Sequence, residues 1–404
     1  MLTRDDLLTA EAVQDPYAYF GHLREEEGVA WNARWGGWLV TRYDDVLQVL
    51  RDPEHFSSDR MAALRQELTE GEEEKLALLI NHLSKWFVFS DPPYHTRLRM
   101  LVNKAFTPSS VERLRPRVRQ IVEGLLDGLA PRRQMEFIKE FAFHIPVIVI
   151  CEYMGVPAED REKLKVWSNQ VGSAVGIRAG DPERWERSQQ AVERLLEYFQ
   201  PLVEERRRHP REDFITALVQ AEERGDLLSD EEVLATCTLL MFAGHESTMN
   251  LLANGLAAFM RFPDQWELLC REPGLVRPAV EELLRYDGPV KALTRQVRGE
   301  VTLGGKELKE GDRLMLLFAA ANRDPRKFRD PERLDITRSP NPHLGFGYGI
   351  HVCLGAPLAR LEAQETFLTL SRRLPGIRLA IGLDELEYYP TFVGRILKKL
   401  PVEW

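Results

Sequence analysis

Apolar residues recur at three- and four-residue steps along most of the chain. VERLRPRVRQIVEGLLDGL (111–129) and PERWERSQQAVERLLEYFQPLVEERRR (182–208) are typical, and both predict amphipathic helices. Two stretches depart from that period. GVAWNARWGGWLVTRY (28–43) holds two short runs rich in Val, Trp and Tyr around Gly36-Gly37, which predicts a hairpin. In VTLGGKELKEGDRLMLLF (301–318), Gly304-Gly305 and Glu310-Gly311 punctuate three short strands. Neither a repeat nor a low-complexity linker divides the sequence, so the expected fold class is mainly α with a small β-rich portion, in one domain over 1–404.

One helix is expected to be unusually long. Ser229 followed by Glu232 makes a capping box, and Asp230, Glu231 and Glu232 place negative charge at the positive end of the helix dipole. No proline follows until Pro263, so about 30 residues, roughly 45 Å of helix, are predicted. Its middle, LLMFAGHESTMNLL, is apolar nearly all round, which predicts a helix crossing the core.

Composition narrows the class. The 404 residues carry a formal net charge of −9, the wrong sign for non-specific nucleic-acid binding. The four cysteines, Cys151, Cys237, Cys270 and Cys353, lie far apart, with no zinc-type spacing and no disulfide framework. The N-terminal residues lack a signal-peptide core, and the longest apolar runs fall short of the ~20 residues that span a bilayer. The expectation is a cytoplasmic protein without a membrane anchor.

Gly244, Glu246, Ser247 and Thr248 are out of place inside a buried helix. Glycine there costs ~1 kcal/mol relative to alanine, and a buried carboxylate costs several kcal/mol unless paired or wetted. A close helix crossing accounts for the small residues, with Glu246 at solvent. The alternative is a notch: Ala243 and Ser247 share a face, leaving room for a flat cofactor and a small ligand. The Ser247 hydroxyl can then bond back to the carbonyl four residues earlier and loosen the ladder, and acid plus hydroxyl plus water makes a proton relay.

The stretch FGYGIHVCLG (346–355) sets one cysteine among three glycines, just before the helical segment APLARLEAQETFLTLSRRL. A sulfur there meets the positive helix end and free N–H groups, and both lower a thiol pKa. Gly347 and Gly349 permit backbone that Cβ would forbid, so the loop can lie flat against a planar ligand. A tight turn holding a structural cysteine is the plainer reading. Every fixed position of F-G-x-G-x-H-x-C-x-G is nevertheless filled, by Phe346, Gly347, Gly349, His351, Cys353 and Gly355. The segment resembles the heme-binding loop of the cytochrome P450 family.

The resemblance extends over nearly the whole chain. It implies heme b (iron-protoporphyrin IX) with Cys353 as the metal ligand, and propionate contacts from His95, Arg99, Arg295 and His351. Phe346, Gly347, Ala243 and Gly244 would line the heme. Glu282 and Arg285 in VEELLRY match the family's E-x-x-R pair, and Arg333 in ANRDPRKFRDPERLDITR fits its third, arginine member. Ala243, Gly244 and Glu246 match the oxygen-binding motif A-G-x-[D/E]-T, with Ser247 where threonine is usual and Thr248 following. The implied activity is a monooxygenase that uses O2 on a C–H bond of a small hydrophobic substrate, with Glu246, Ser247 and Thr248 as catalytic candidates. A peroxygenase and a non-catalytic heme-binding sensor or carrier are the alternatives. No dinucleotide fingerprint, flavin domain or iron–sulfur set is present, so the resemblance implies a separate ferredoxin or flavodoxin with its reductase, docking near Lys104 and Arg360. Segments 61–89 (with Trp86, Phe87 and Phe89), 171–177, 290–293 and 391–393 are the expected substrate walls.

Overall fold

In the computed structural model, residues 5–7, 9–175, 183–223, 225–391 and 393–404 are described. The Arg184–Arg208 helix turns one stripe inward, with Ala191, Val192, Leu195, Phe199 and Val203 all buried, at the three- and four-residue steps seen in the sequence. Arg206, Arg207 and Arg208 close its last turn, where the dipole favours cations. This helix packs on Arg161–Val175, and both pack on Asp230–Ala243.

The β portion is smaller. Val29–Asn32 and Gly37–Val40 form the predicted hairpin, with Asn32 opposite Gly37 and Gly36 at φ +70° in the turn. Arg313–Leu317 joins this hairpin parallel to Gly37–Val40, and Ala292–Val297 and Phe56–Ser57 complete a five-stranded sheet. Val301–Leu303 and Lys306–Leu308 pair only with each other, so the third predicted strand leaves its sequence neighbours for the larger sheet. One sheet face carries Ala292, Met315, Leu317 and Leu39 against Tyr19, Phe20 and Leu23 of the Pro16–Glu26 helix. The opposite face carries Leu293, Val297, Leu314 and Leu316. That alternation is the period-two pleat.

The long helix differs from expectation. It starts as predicted, with the Ser229 hydroxyl accepting from Glu232 N–H and the Glu232 carboxylate accepting from Ser229 N–H. It then divides into Asp230–Ala243 and Glu246–Arg261, separated by Gly244 and His245. The cause lies in side chains competing for helix carbonyls. Ser247 Oγ donates to the Ala243 carbonyl at 3.2 Å, and the His245 ring takes the Met241 carbonyl at 2.8 Å.

A second correction concerns the arginine network. Glu282 and Arg285, in the Val276–Asp287 helix, form a bidentate pair at 2.8 Å, with neither side chain exposed. The third side chain is Arg338, whose Nε donates to both Glu282 oxygens at 3.1 Å. Arg333 contributes its backbone carbonyl, which accepts from Arg285 at 3.0 Å, while its guanidinium sits 65% exposed beside Asp264. Five arginines stand in 321–338, and spacing alone does not say which one the folded loop turns inward.

Arg338→Ala therefore leaves part of a buried charge uncompensated and should destabilise by about 3–5 kcal/mol. Arg333→Ala should cost under about 1 kcal/mol, because its ion pair is exposed. Urea unfolding of both variants checks the assignment; equal losses would contradict it.

Candidate active site

The Cys353 loop is closed by its own backbone. Cys353 N–H donates to the Phe346 carbonyl at 2.9 Å, and Gly347 N–H to Leu344 O at 2.9 Å. Gly349 has φ +71°, and a Cβ there would lie 2.4 Å from the Leu50 carbonyl, so only glycine lets the loop seat against the Tyr43–Arg51 helix. The loop is fastened from below. Glu281 accepts from Arg360 at 2.7 and 2.8 Å and lies 3.0 Å from His343 Nε2, and the Arg360 guanidinium stacks 4.5 Å over the Phe346 ring.

Cys353 is accessible to solvent, yet protein surrounds it at longer range. Desolvation is accordingly the largest influence on the thiol and raises its pKa, against the pull of the Gly355 and Ala356 N–H groups, Arg99 and Arg360. This reverses the depressed pKa expected from the helix terminus alone. A bound metal cation reverses it again, since coordination deprotonates a thiol outright.

The four expected propionate ligands converge. The His95 and His351 rings lie 4.2 Å apart. Arg99, one turn after His95 in Tyr94–Ala105, donates to the Val352 carbonyl at 2.6 Å, and Arg295 approaches from the sheet. Burial, then Arg99 and Arg295, hold His95 down to about 4; burial, then Arg295, His95 and Arg99, hold His351 down to about 2. Arg60, at the start of Arg60–Glu67, belongs to the same cluster: burial lowers both Arg60 and Arg295 to about 10, and the two repel each other.

These residues fit a dianionic planar cofactor. Among the described residues, both ring nitrogens of His95 and Nε2 of His351 are buried without a partner. Asp91, the carboxylate facing this cluster, already accepts from Arg298, Ser57 and the Ser58 N–H. A cationic pocket with orphaned imidazoles calls for added negative charge and acceptors, which two propionates supply. No group of three or more His, Cys, Asp or Glu among the described residues could hold a metal ion by itself.

The helix break is unevenly buried. Ala243 is exposed although the helix around it is buried, Gly244 and Ser247 are half-buried, and Thr248 is buried. A Cβ on Gly244 would come within 2.7 Å of the Leu240 carbonyl and 3.0 Å of Ile150. Glu246 opens the second helix and is half-buried.

Comparison with known proteins identifies the family. The family model described as Cytochrome P450 matches residues 38–273 and 274–374. The chain belongs to the cytochrome P450 family. It is 39% identical over 400 residues to "Polyketide biosynthesis cytochrome P450 PksS" of Bacillus subtilis, covering 96% of this chain and 95% of that protein. It is 40% identical over 401 residues to "Vitamin D(3) 25-hydroxylase" of Pseudonocardia autotrophica, covering 98% and 96%. The crystal structure of P450BioI in complex with hexadec-9Z-enoic acid ligated acyl carrier protein superposes with a TM-score of 0.90 at 36% identity, covering 98% and 99%. The P450 fold, a heme cofactor and membership among the monooxygenases follow. No described helix is long and apolar enough to cross a membrane.

The aromatic residues expected to line this P450's substrate pocket divide. Trp86 is fully buried, stacked between Phe89 at 5.7 Å and Phe242 at 5.3 Å, with Nε1 donating to Thr238 Oγ at 3.2 Å. It is core, and it pins the segment before the break. Phe87 instead lies beside His95 (6.4 Å) and under the Arg99 guanidinium (5.4 Å), at the cation cluster. Segments 290–293 and 391–393 meet: Lys291 N–H donates to the Val393 carbonyl at 2.7 Å and its ammonium to the Thr391 carbonyl at 2.8 Å. Residues 176, 177 and 392 of the expected walls lie outside the described residues. Of the expected docking cations, Lys104 is exposed, with its ammonium on the Glu222 carbonyl, whereas Arg360 is paired with Glu281.

Sequence reasoning missed Arg60, Arg338, His82 and the His245 contacts. Arg60 had one signal, its place directly after the helix-capping Asp59. His82 Nε2 lies 2.6 Å from Thr238 Oγ, and burial lowers its pKa from 6.5 to about 4, as it does for His245.

These lowered values fix a sign. A histidine neutral in the fold contributes stability that is complete above its unfolded pKa and is lost as pH falls from about 6.5 toward 4. His82→Gln should flatten the dependence of unfolding free energy on pH in that window by about 1.4 kcal/mol per pH unit. Urea titrations at several pH values measure it, and an unchanged slope would contradict the neutral assignment.

Proposed function

We propose that this P450, working as one unit over 1–404, inserts one atom of O2 into a C–H bond of a hydrophobic small molecule, with two electrons from a separate ferredoxin or flavodoxin and its reductase. The observation that carries the reading is the cationic pocket with orphaned imidazoles beside the cysteine loop. The net reaction takes substrate, O2, two electrons and two protons to hydroxylated product and water. Heme, when bound, supplies the oxygen-activating redox chemistry.

The chain's own residues bind and position. Cys353 would provide the sulfur that holds the iron, and the N–H groups of Gly355 and Ala356 would stabilise its negative charge. His95, Arg99, Arg295 and His351, with Arg60 added, hold the propionates. Phe346 and Gly347 of the cysteine loop, and Ala243 and Gly244 at the helix break, would line the macrocycle. Glu246 supplies protons and Ser247 holds one at Oγ; turning away from the Ala243 carbonyl lets that hydroxyl serve a ligand in the cleft. Thr248, buried one residue further on in the same helix, is the second hydroxyl candidate for the relay. The acid–hydroxyl pair favours O2 over peroxide as oxidant. An acidic carrier would dock on the cysteine side near Met100, Lys104 and Val352, all exposed; Arg360, neutralised by Glu281, contributes little. The relatives' names and ligands, a polyketide pathway, vitamin D(3) and a long-chain acyl group, support a bulky apolar substrate.

The reduced protein with carbon monoxide should show a strongly red-shifted Soret band that Cys353→Ala removes. A wild-type spectrum lacking that band would overturn the thiolate assignment. Ser247→Ala should lower product formed per reductant consumed by at least about tenfold, and Ser247→Thr should restore it. Unchanged coupling in Ser247→Ala would exclude this hydroxyl from the relay.

A further inference from the structure

The Met241 carbonyl, four residues before His245, is taken by two side chains. His245 Nδ1 lies 2.8 Å from it and Ser168 Oγ donates to it at 3.1 Å. The other ring nitrogen, Nε2, lies 3.1 Å from the carboxamide of Asn169. Ser168 and Asn169 are consecutive in the Arg161–Val175 helix, so one turn of that helix grips both sides of the break. Gly172, the next turn on, packs so closely that a Cβ there would be 3.0 Å from the Phe242 ring. Phe242 stacks in turn on Trp86. The Ala243 carbonyl that receives the Ser247 hydroxyl lies inside this gripped segment.

The hydrogen-bond chemistry settles the orientation of the pair. A carbonyl only accepts, so Nδ1 carries the proton. Burial keeps the ring neutral, which leaves a lone pair on Nε2. The matching partner is an N–H of Asn169, so the carboxamide turns its nitrogen, rather than its oxygen, to the ring; the two are related by a half-turn of the amide. Asn169 is otherwise exposed, so the contact is local and can be removed without opening the core.

We infer that Asn169 and His245, with Ser168, form a latch through which the Arg161–Val175 helix sets the geometry of the Gly244–His245 break and thereby positions the Ser247 hydroxyl. The functional consequence rests on the proposed role of Ser247; the latch itself does not. Asn169 and His245 are positioning residues: His245 touches the Met241 carbonyl and Asn169 touches the His245 ring, and their part is to place Ser247 rather than to meet the reacting atoms.

The test uses the heme-loaded full chain and two variants, Asn169→Leu, which keeps volume and loses the amide, and Ser168→Ala. Hydrogen–deuterium exchange of residues 241–249 should rise at least about threefold in both, with the Pro263–Arg271 helix unchanged. Imidazole, used as an optical probe that binds on the distal side, should change its dissociation constant at least about threefold in Asn169→Leu. The red-shifted carbon monoxide band should persist in both variants. Unchanged exchange at 241–249 in both variants would overturn the latch. A missing carbon monoxide band in the wild type would instead overturn the thiolate reading and leave the exchange result standing.

Discussion

Two adjacent carboxylates, Glu281 and Glu282, organise the proximal half of this molecule. Glu282 is fully buried and accepts from Arg285, Arg338, Asn341 and the Asp335 N–H. Arg285 spends its remaining donors on the carbonyls of Asn322, Pro331 and Arg333. One ion pair therefore folds the irregular stretch between residues 322 and 341, which has no regular ladder of its own to satisfy its backbone. Asn322 then accepts from Leu344 N–H, and Glu281 takes His343 and Arg360. The cysteine loop inherits its position from that chain of contacts. Buried charge is costly unless every lone pair is matched, so the arrangement has few alternatives.

The distal half is built on the opposite principle. There the helix ladder is deliberately incomplete, and side chains take carbonyls that backbone N–H groups would otherwise claim. Ser247 takes Ala243, while His245 and Ser168 share Met241. Large aromatic rings brace the segment from the other side, with Trp86 and Phe242 stacked and Thr238 holding both Trp86 and His82. The notch read from the small residues is thus a helix interruption rather than a simple crossing, and its shape depends on three segments far apart in sequence.

Between these halves the charge balance is uneven on purpose. Arg60, Arg99 and Arg295 crowd around two neutral histidines, with Asp91 already engaged elsewhere. A folded protein tolerates such crowding where a bound anion completes it. The P450 family assignment brings a heme cofactor, whose two propionates are the anion proposed for this pocket.

The sequence by itself determined the helical period, the hairpin at Gly36-Gly37, the capping box at Ser229 and the cysteine loop, because each depends on residues within a few positions of one another. The loop was legible since glycine, histidine and cysteine at fixed offsets leave few other uses. His95, Arg99, Arg295 and His351 were legible only through resemblance, as nothing local marks a cation as buried. Tertiary structure alone decided that Arg338 rather than Arg333 reaches Glu282 and that the long helix breaks at Gly244. Each of these turns on which distant group fills a given carbonyl or carboxylate, and on how much water remains beside it, quantities that no spacing along the chain encodes.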